Sequence, residues 1–442
     1  MSPYTYSKKD LFDKYYLFIE RAINLLCEGG RVGYIVPHKF FIVKGGKKLR
    51  GFITDATSLD RIIHFGVTQF FPNRSTYTAI VVFVREAKEK LEFSRIDNLS
   101  SIDIFETTPV IAYDNDGFGS APWVFVSETA AKLFHKIISN GTIALKSVAE
   151  IPVGLQTSSD PIYIFTPTKE NATHFYFSKD ETEYKVEKGI CKPSLYDVSF
   201  NGFDTVAANG QMIFPYEIDG YTATVISEVD FQNNYPDCWA YLNLFKAKLE
   251  KRSINGNGPK WYQYGRSQSL TKFHNADKIV FPVLSQKPSY IIDETNFQFT
   301  GGGNGPYYSI TSNSNYSIYY LAGLLSHPVL EAMVKSRASE FRGDYYSHGK
   351  QFIENLPIRT IDFVDAVEKR AHDKIVSSVK SIIRTKQSLK AESTYAKKRI
   401  IQRKINRLYN NLFNQVDVLY GFTQEDIDCI TGDNLFVAPI ES

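Results

Sequence analysis

Gly29-Gly30-Arg31-Val32-Gly33-Tyr34-Ile35-Val36-Pro37 is the stretch on which the fold turns. Its middle, Val32–Val36, is a short apolar run closed by a proline. Before it, Ser7-Lys8-Lys9-Asp10 reads as a capping box at a helix start. Leu11, Tyr15, Phe18, Ile19, Ala22, Leu25 and Leu26 then follow the 3.6-residue period of one helical face. Gly29-Gly30 stops that helix, because glycine takes the left-handed conformation without strain. A helix followed by a continuously apolar strand is half of a parallel α/β unit. A second helix is predicted over about 46–56, with strands over 61–65 and 78–85. The polar segment Asn73-Arg74-Ser75-Thr76 joins the two strands as a loop.

This opening piece has about three strands, too few to stand alone. A strand that is apolar on both faces belongs inside a sheet, not at an exposed edge. Either the chain is the later portion of a larger protein, or another chain completes the sheet.

The pattern changes after about residue 90. Short strands, aromatics and turn signals such as Asp114-Asn115-Asp116-Gly117, Asn140-Gly141 and Asn201-Gly202 run to about 360. That reads as a β-rich or α+β domain with helical pieces at 127–139, 238–251 and 317–336. Beyond 361 the period is helical again. Ile375, Val379, Ile382 and Ile383 form one stripe; Ile400, Ile401, Ile405, Leu408, Leu412 and Val416 form another. Two long antiparallel helices with a turn near 389–393 fit best.

The chain has 442 residues, 43% apolar and 22% charged, which excludes a disordered or low-complexity protein. Its longest apolar runs, such as Ala79–Val84, are far short of the ~20 residues of a spanning helix. Met1–Asp10 carries no apolar signal-peptide core. The four cysteines form no CxxC pair, which argues for a reducing cytoplasm and against structural zinc. Net charge is only +3, but thirteen Lys/Arg lie between Lys369 and Arg407 against Asp373 and Glu392. Such asymmetry suggests a polyanionic partner; the alternative is a solvated helical face.

Asp10-Leu11-Phe12 with Tyr16–Ala22, then Leu25-Leu26, Gly29-Gly30 and Gly33–Pro37, resembles the segment that follows the catalytic motif of adenine-specific DNA methyltransferases. The pattern is that of the gamma-class enzymes and the fused Type IIG restriction–modification proteins. Phe65-Gly66, Phe71-Pro72 and Thr76–Val82 resemble the loop and strand beside the target base. Gly154–Ser158 resembles the opening of the target-recognition domain. Tyr235-Pro236, Tyr241-Leu242, Leu249–Arg252 and Trp261–Arg266 resemble its middle, and Leu356-Pro357-Ile358 its end. Leu419–Ile427 resembles the helical tail. The resemblance implies a truncated, doubly wound α/β methyltransferase sheet (1–95), an α+β target-recognition domain (96–360) and a basic helical hairpin with tail (361–442). It also implies double-stranded DNA as partner.

The family binds S-adenosylmethionine on a Gly-rich turn and acts on adenine with an Asn/Asp-Pro-Pro-Tyr/Phe loop. Neither motif is present in this sequence; Met1-Ser2-Pro3-Tyr4 only faintly echoes the second. No catalytic residue, cofactor or metal is therefore expected in the chain. The chain is expected to read the DNA target as the C-terminal part of an adenine-N6 methyltransferase without carrying out the chemistry; the alternatives are an enzyme active only when a separate chain supplies the cofactor half, or a protein-interaction subunit.

Candidate contacts follow from residue chemistry and the resemblance together. Phe71, before Pro72, holds the family's base-stacking position, where an aromatic face replaces the stacking lost by an extruded adenine. An ordinary core phenylalanine is the alternative. Lys44 and Arg74 flank it as phosphate contacts. Gln156, Thr157 and Ser158 form a polar loop, and glutamine can pair bidentately with adenine. Arg252, Trp261, Tyr264 and Arg266 combine cations with aromatics suited to guanine, phosphate or sugar. Core packing is the competing account of Trp261. Arg342, His348 and Lys350 are further phosphate candidates. Gly301–Gly305 lacks the Lys-Ser/Thr of a phosphate loop, and Glu183-Tyr184-Lys185 lacks a suitably spaced acid for a nuclease. The eight histidines show no metal-ligand spacing.

Overall fold

The computed structural model describes residues 12–71, 76–97, 108–256, 258–274, 277–301, 306–431 and 435. The chain forms two compact units. One takes Met1–Lys136, Ala332–Ser347 and Gln424–Ser442; the other takes Ile137–Glu331 and His348–Thr423. The expected divisions at 95 and 360 fall inside these units.

In the first unit the elements are α1 (Lys14–Leu25), β1 (Arg31–Pro37), α2 (Lys47–Ala56), β2 (Ser58–His64), β3 (Thr78–Val84), β4 (Lys90–Arg95) and β5 (Ile111–Asp114). The strands form one sheet in the order β1-β3-β2-β4-β5. It is mixed: β3 runs antiparallel to both β1 and β2, β2 and β4 are parallel, and β5 returns antiparallel to β4. The parallel half-unit expected from the sequence is thus represented by one parallel pair. β3 reads Thr-Ala-Ile-Val-Val-Phe-Val, all buried or half-buried, as an interior strand should. β1 is not interior among the described residues. It sits at the end of the sheet, with Ile35 47% exposed.

Asp13 occupies the N-cap of α1, and Ser7–Asp10 lie outside the described residues. The helix ends at Leu25 before an extended Leu26, so Gly29 is not its cap. Gly29 instead takes a φ of +72° in the turn into β1, its N–H donating to the Arg85 carbonyl at 2.9 Å. From α2, the Arg50 side chain is almost wholly buried. It donates to the carbonyls of Phe40 (2.6 Å), Val43 (2.9 Å) and Ala121 (2.8 Å), fastening the loops around it.

At the carboxyl ends of β1 and β2, two histidines hold one peptide. His38 Nε2 lies 3.3 Å from the Gly66 carbonyl, so that nitrogen carries the proton. The Gly66 N–H donates to His64 Nδ1 at 3.0 Å. The two rings lie 4.1 Å apart. Burial pushes the His38 imidazole down to about 4 and the His64 imidazole well below its usual value; the Arg95 charge adds to both.

The second unit is built from small sheets. Cys191–Leu195 pairs with Gly210–Ile213, and Lys278–Pro282 runs between Ile291–Asp293 and Tyr307–Ser312. The predicted helix at 238–251 is broken into Pro236–Leu244 and Lys246–Glu250, and that at 317–336 into Ile318–Leu325 and Pro328–Lys335. The second break has a plain cause: Pro328 starts a helix well but cannot continue one. The helical hairpin is present as Ala366–Ala391 and Tyr395–Tyr420. Asp365 caps the first helix, accepting from the Val367 and Glu368 amides. Gly421, at φ +69°, ends the second. Ile375, Val379, Ile382, Ile405, Leu412 and Val416 are buried as predicted, whereas Ile400 is 66% exposed and leaves the stripe. This hairpin falls within the second unit. Gly323 of Ile318–Leu325 sits where a Cβ would lie 2.6 Å from Ile375 Cγ2 and 3.2 Å from Val379 Cγ2.

Two outcomes test these arrangements. Gly323→Val should destabilise the second unit by about 1–3 kcal/mol through overpacking, and Ile375→Ala should relieve part of the loss. An unchanged thermal midpoint for Gly323→Val would remove the close-approach argument. For the histidines, the unfolded chain gains protons below about pH 6.5 that the folded rings refuse. Stability present above about pH 6.5 is therefore lost as pH falls toward about 4, by roughly 2 kcal/mol for His38 after allowance for partial exposure. Urea unfolding followed through Trp123, with Trp239 and Trp261 replaced by Phe, reads this loss. A His38→Asn/His64→Asn variant should be flatter between about pH 6.5 and 5; an equal slope would show that other groups cause it.

Candidate nucleic-acid interface

In the first unit the root of the Phe71 loop is fixed from several sides. Gly66 has a φ of +49°, which favours glycine, and a Cβ there would lie 1.9 Å from Asp97 Oδ1, so any side chain must displace that carboxylate. Thr68 Oγ1 donates to the Asp97 carbonyl at 2.7 Å. Phe70 turns inward, its ring 4.5 Å from that of buried Phe65. Phe71 is 44% exposed, so the alternative of a core phenylalanine does not describe it. Pro72 and Arg74 lie outside the described residues. Lys44, in a short turn before α2, is exposed.

Beside the histidine clamp is a cavity of about 70 Å³ lined by Phe41, Phe93, Trp123 and Phe125 together with Arg95 and Glu340. Arg95 donates to both Glu340 oxygens (2.9 and 3.0 Å) and to Asp97 (2.9 Å). Those carboxylates hold its guanidinium protonated despite burial.

In the second unit, two sequence windows about a hundred residues apart meet. Gln156 bridges Arg266 antiparallel, the Arg266 N–H donating to the Gln156 carbonyl at 3.2 Å. The Gly265 N–H donates to the Thr157 carbonyl at 3.1 Å. A Cβ on Gly265 would fall 2.1 Å from Ser158 Oγ, so the approach depends on glycine there. Ser158 itself is exposed at φ +59°.

The predicted contacts divide by direction. Ser158 is exposed and Gln156 and Arg266 are partly exposed; Arg266 Nη1 meets Asn255 Oδ1. Thr157 is fully buried, its hydroxyl donating to Asp160 and accepting from the Ser159 amide. Arg252 also turns inward. It donates to the carbonyls of Leu249 (3.0 Å), Thr157 (2.5 Å), Trp261 (2.8 Å) and Gln263 (2.9 Å). Tyr264 is a core ring, its hydroxyl donating to the Ile213 carbonyl at 2.6 Å, with burial pushing its pKa well up. Trp261 packs edge-on against Trp239 and Tyr262 and is half-buried. For Thr157, Arg252 and Tyr264, the expectation of a surface contact is corrected. Each finds its partners in distant backbone or in a neighbouring side chain.

The remaining candidates separate as well. His348 is almost fully buried, with Nε2 3.0 Å from Glu331 Oε2, so its ring is not at the surface. Lys350 is exposed on a groove of about 560 Å³ whose walls also carry Lys146 and Lys272. Sequence reasoning missed those two lysines, because isolated surface lysines carry no local signal. Lys272 pairs with Glu150 at 2.6 Å. In the first unit, Arg342 is exposed at the tip of the Glu340–Phe341/Tyr345–Ser347 hairpin, where Gly343 and Asp344 both take positive φ.

His174, Glu187 and Asp237 also converge, within 4.8 Å of one another, a grouping their sequence spacing does not reveal. Their carboxylates are already engaged. Lys185 Nζ lies 2.8 Å from Asp237, and Glu187 accepts from the Asp237 and Cys238 amides at 2.8 and 2.9 Å. The group is therefore a helix cap with an ion pair rather than a metal centre.

No helix among the described residues is long and apolar enough to cross a membrane. Residues 1–71 match the Eco57I restriction-modification methylase family. Over 430 residues, 92% of its length, the chain is 32% identical to the Type II restriction enzyme and methyltransferase RM.Eco57I of Escherichia coli, of which it spans 43%. It is 22% identical over 406 residues to the Type II methyltransferase M.HindII of Haemophilus influenzae, covering 85% of this chain and 73% of that protein. Its fold matches the Type IIL restriction-modification enzyme MmeI, solved in complex with DNA, at a TM-score of 0.61 and 12% identity, over 95% of this chain and 51% of MmeI. The chain is thus similar, over most of its length, to DNA methyltransferases of Type II restriction–modification systems, and to the Eco57I restriction-modification methylase family through its first 71 residues.

Proposed function

We propose that this chain reads the DNA target of an adenine-N6 methyltransferase in a restriction–modification system. The observation that carries this reading is the convergence of Gln156, Ser158 and Arg266 on one polar surface, built on a scaffold that holds Thr157, Arg252 and Tyr264 inside. Glutamine offers a donor and an acceptor matched to adenine, and arginine two donors matched to guanine or a phosphate; a good bidentate pair is worth about 1–3 kcal/mol of discrimination. Lys44, Arg342 and Lys350 are exposed cations suited to phosphate. They add affinity without sequence preference, so binding falls steeply with salt. Residues 1–95 are the methyltransferase portion of this reading, and 96–360 hold the recognition residues.

Phe71 belongs to the target base. A half-exposed ring on a loop whose root is tied at Gly66 presents a stacking face near an anchored turn. S-adenosylmethionine supplies the methyl group in the family. The described residues at the histidine clamp do not fit it. Their cavity of about 70 Å³ is far below the roughly 300–1,000 Å³ of a cofactor site, and Arg95 already carries two carboxylates. We assign the donor site to no described residue. A preceding region or second chain that completes the sheet is favoured by β1, whose outer edge no described strand covers and whose Ile35 is 47% exposed.

Two measurements test this reading. Duplexes recovered from a randomised pool should show an enriched motif for the unaltered chain, relaxed at one or two positions in Gln156→Ala and Arg266→Ala variants. Identical motifs from all three proteins would remove these residues from recognition. Phe71→Ala should weaken binding to a duplex carrying an abasic or mismatched site more than to ordinary duplex, reflecting a stacking contribution of about 1–3 kcal/mol. Equal effects on both substrates would count against stacking.

A further inference from the structure

The thirteen cations between Lys369 and Arg407 do not act alike. Three on the first helix serve the fold. Lys386 pairs with Asp204 at 2.8 Å and donates to the Asn201 carbonyl at 2.7 Å. Lys390 donates to the Thr205 carbonyl at 2.6 Å, and Lys380 lies 4.5 Å above the Tyr319 ring. The outer end of the second helix is different. Lys397, Lys398, Arg399, Arg403, Lys404 and Arg407 are all exposed, and none has an ion-pair partner within 4 Å among the described residues. From Tyr395 to Gln415 the sequence holds no acidic residue.

This arrangement works against the helix that carries it. Arg399, Arg403 and Arg407 recur every fourth residue, so like charges stand one turn apart in a row. The row lies opposite the buried stripe of Ile405, Leu412 and Val416. Lys397 is in the first turn, with Lys398 and Arg399 just after it, where the helix dipole favours anions. The first turn carries no acid, and Thr394 makes no side-chain cap. A local conflict of this kind marks a site shaped for something other than stability. The occupant must supply a row of negative charge. A partner helix would need a continuous apolar seam, but the exposed apolar residues here, Tyr395, Ala396 and Ile400, all lie in the first two turns. Positions three and seven residues beyond Ile400 are Arg403 and Arg407.

We propose that the outer end of this helix, from Tyr395 to Arg407, is a sequence-independent clamp for a DNA phosphate backbone, with Arg399, Arg403 and Arg407 as its contact row. The proposal rests on the DNA-reading function above and adds a second contact to it. Affinity comes from the helix row, and selectivity from the Gln156–Arg266 surface.

The test uses the full chain carrying Arg399→Gln, Arg403→Gln and Arg407→Gln together, titrated into a labelled random-sequence duplex at several salt concentrations. Each lost phosphate contact lowers the slope of log affinity against log salt by about 0.9, so the slope should fall by about 3 and binding should weaken at least about tenfold. The motif recovered from a randomised pool should stay the same. The thermal midpoint should stay level or rise, since the substitutions relieve repulsion. A control carrying Lys88→Gln, Lys90→Gln and Lys132→Gln removes the same charge elsewhere and should leave the slope unchanged. Unaltered affinity and slope in the helix variant would overturn the clamp while leaving the recognition reading intact. An equal effect in the control would overturn it as a matter of net charge. Concentration-dependent self-association lost in the helix variant, with DNA binding intact, would make the row a protein surface instead. An unaltered chain that binds no duplex would overturn both readings.

Discussion

The Arg252 guanidinium is the interaction on which the candidate interface depends. It draws the carbonyls of Thr157, Leu249, Trp261 and Gln263 toward one charged fork and adds the Tyr163 hydroxyl at 3.2 Å. These groups come from three places in the chain. Without the guanidinium, the Trp261 and Gln263 carbonyls would lose the donor they have beside a buried aromatic core, each costing about 1–3 kcal/mol. With it, residues 156–158 and 261–266 are pinned to one scaffold. The Gln156–Arg266 bridge can then form at the surface, and Gly265 can pass close to Ser158. The side chains of Gln156, Ser158 and Arg266 then share one partly exposed patch, with Arg266 also reaching Asn255, because others have taken up the work of holding the loops.

The first unit applies the same principle with different chemistry. Arg50 gathers the carbonyls around α2, and the His38–His64 pair holds both ends of the Gly66 peptide. His38 can donate in either protonation state, but His64 can accept at Nδ1 only while neutral. Burial enforces that state. The result is a loop that is rigid at its root and exposes an aromatic ring farther along, which suits a task where an ordering cost would subtract from affinity.

Much of this fold was legible in the sequence where a period repeats. β1, α2, β3 and the two long helices fall within a residue or two of their apolar patterns. The β4–β5 pair was missed because Lys90–Arg95 alternates with charged residues and reads as surface. Ile400 was placed in a buried stripe by spacing alone, yet it lies exposed with its neighbours at the outer end of its helix. Direction was the main thing the sequence could not supply. Arg252 and Arg266 look alike as letters, but one finds four carbonyls inside and the other reaches the surface. His348 likewise pairs with Glu331 seventeen residues away, in the core. Partners of this kind are set by tertiary packing, so no local pattern announces them.

The inward and outward cations also settle how charge can act at a distance. The chain is nearly neutral, at +3, yet the 39 residues from Lys369 to Arg407 carry eleven positive charges net while the rest sums to about −8. A uniformly basic protein would attract a polyanion over its whole surface and hold it in many registers. Concentrated charge on an otherwise acidic body repels the polyanion elsewhere and attracts it along one element. Because Lys386 and Lys390 are committed to Asp204 and backbone carbonyls, the exposed cations left without an ion pair among the described residues lie on the remaining turns of the two long helices, most densely from Lys397 to Arg407. Orientation would then precede reading. The field along the helix sets how a duplex arrives, and the shorter-ranged hydrogen bonds of Gln156 and Arg266 act only once it is aligned.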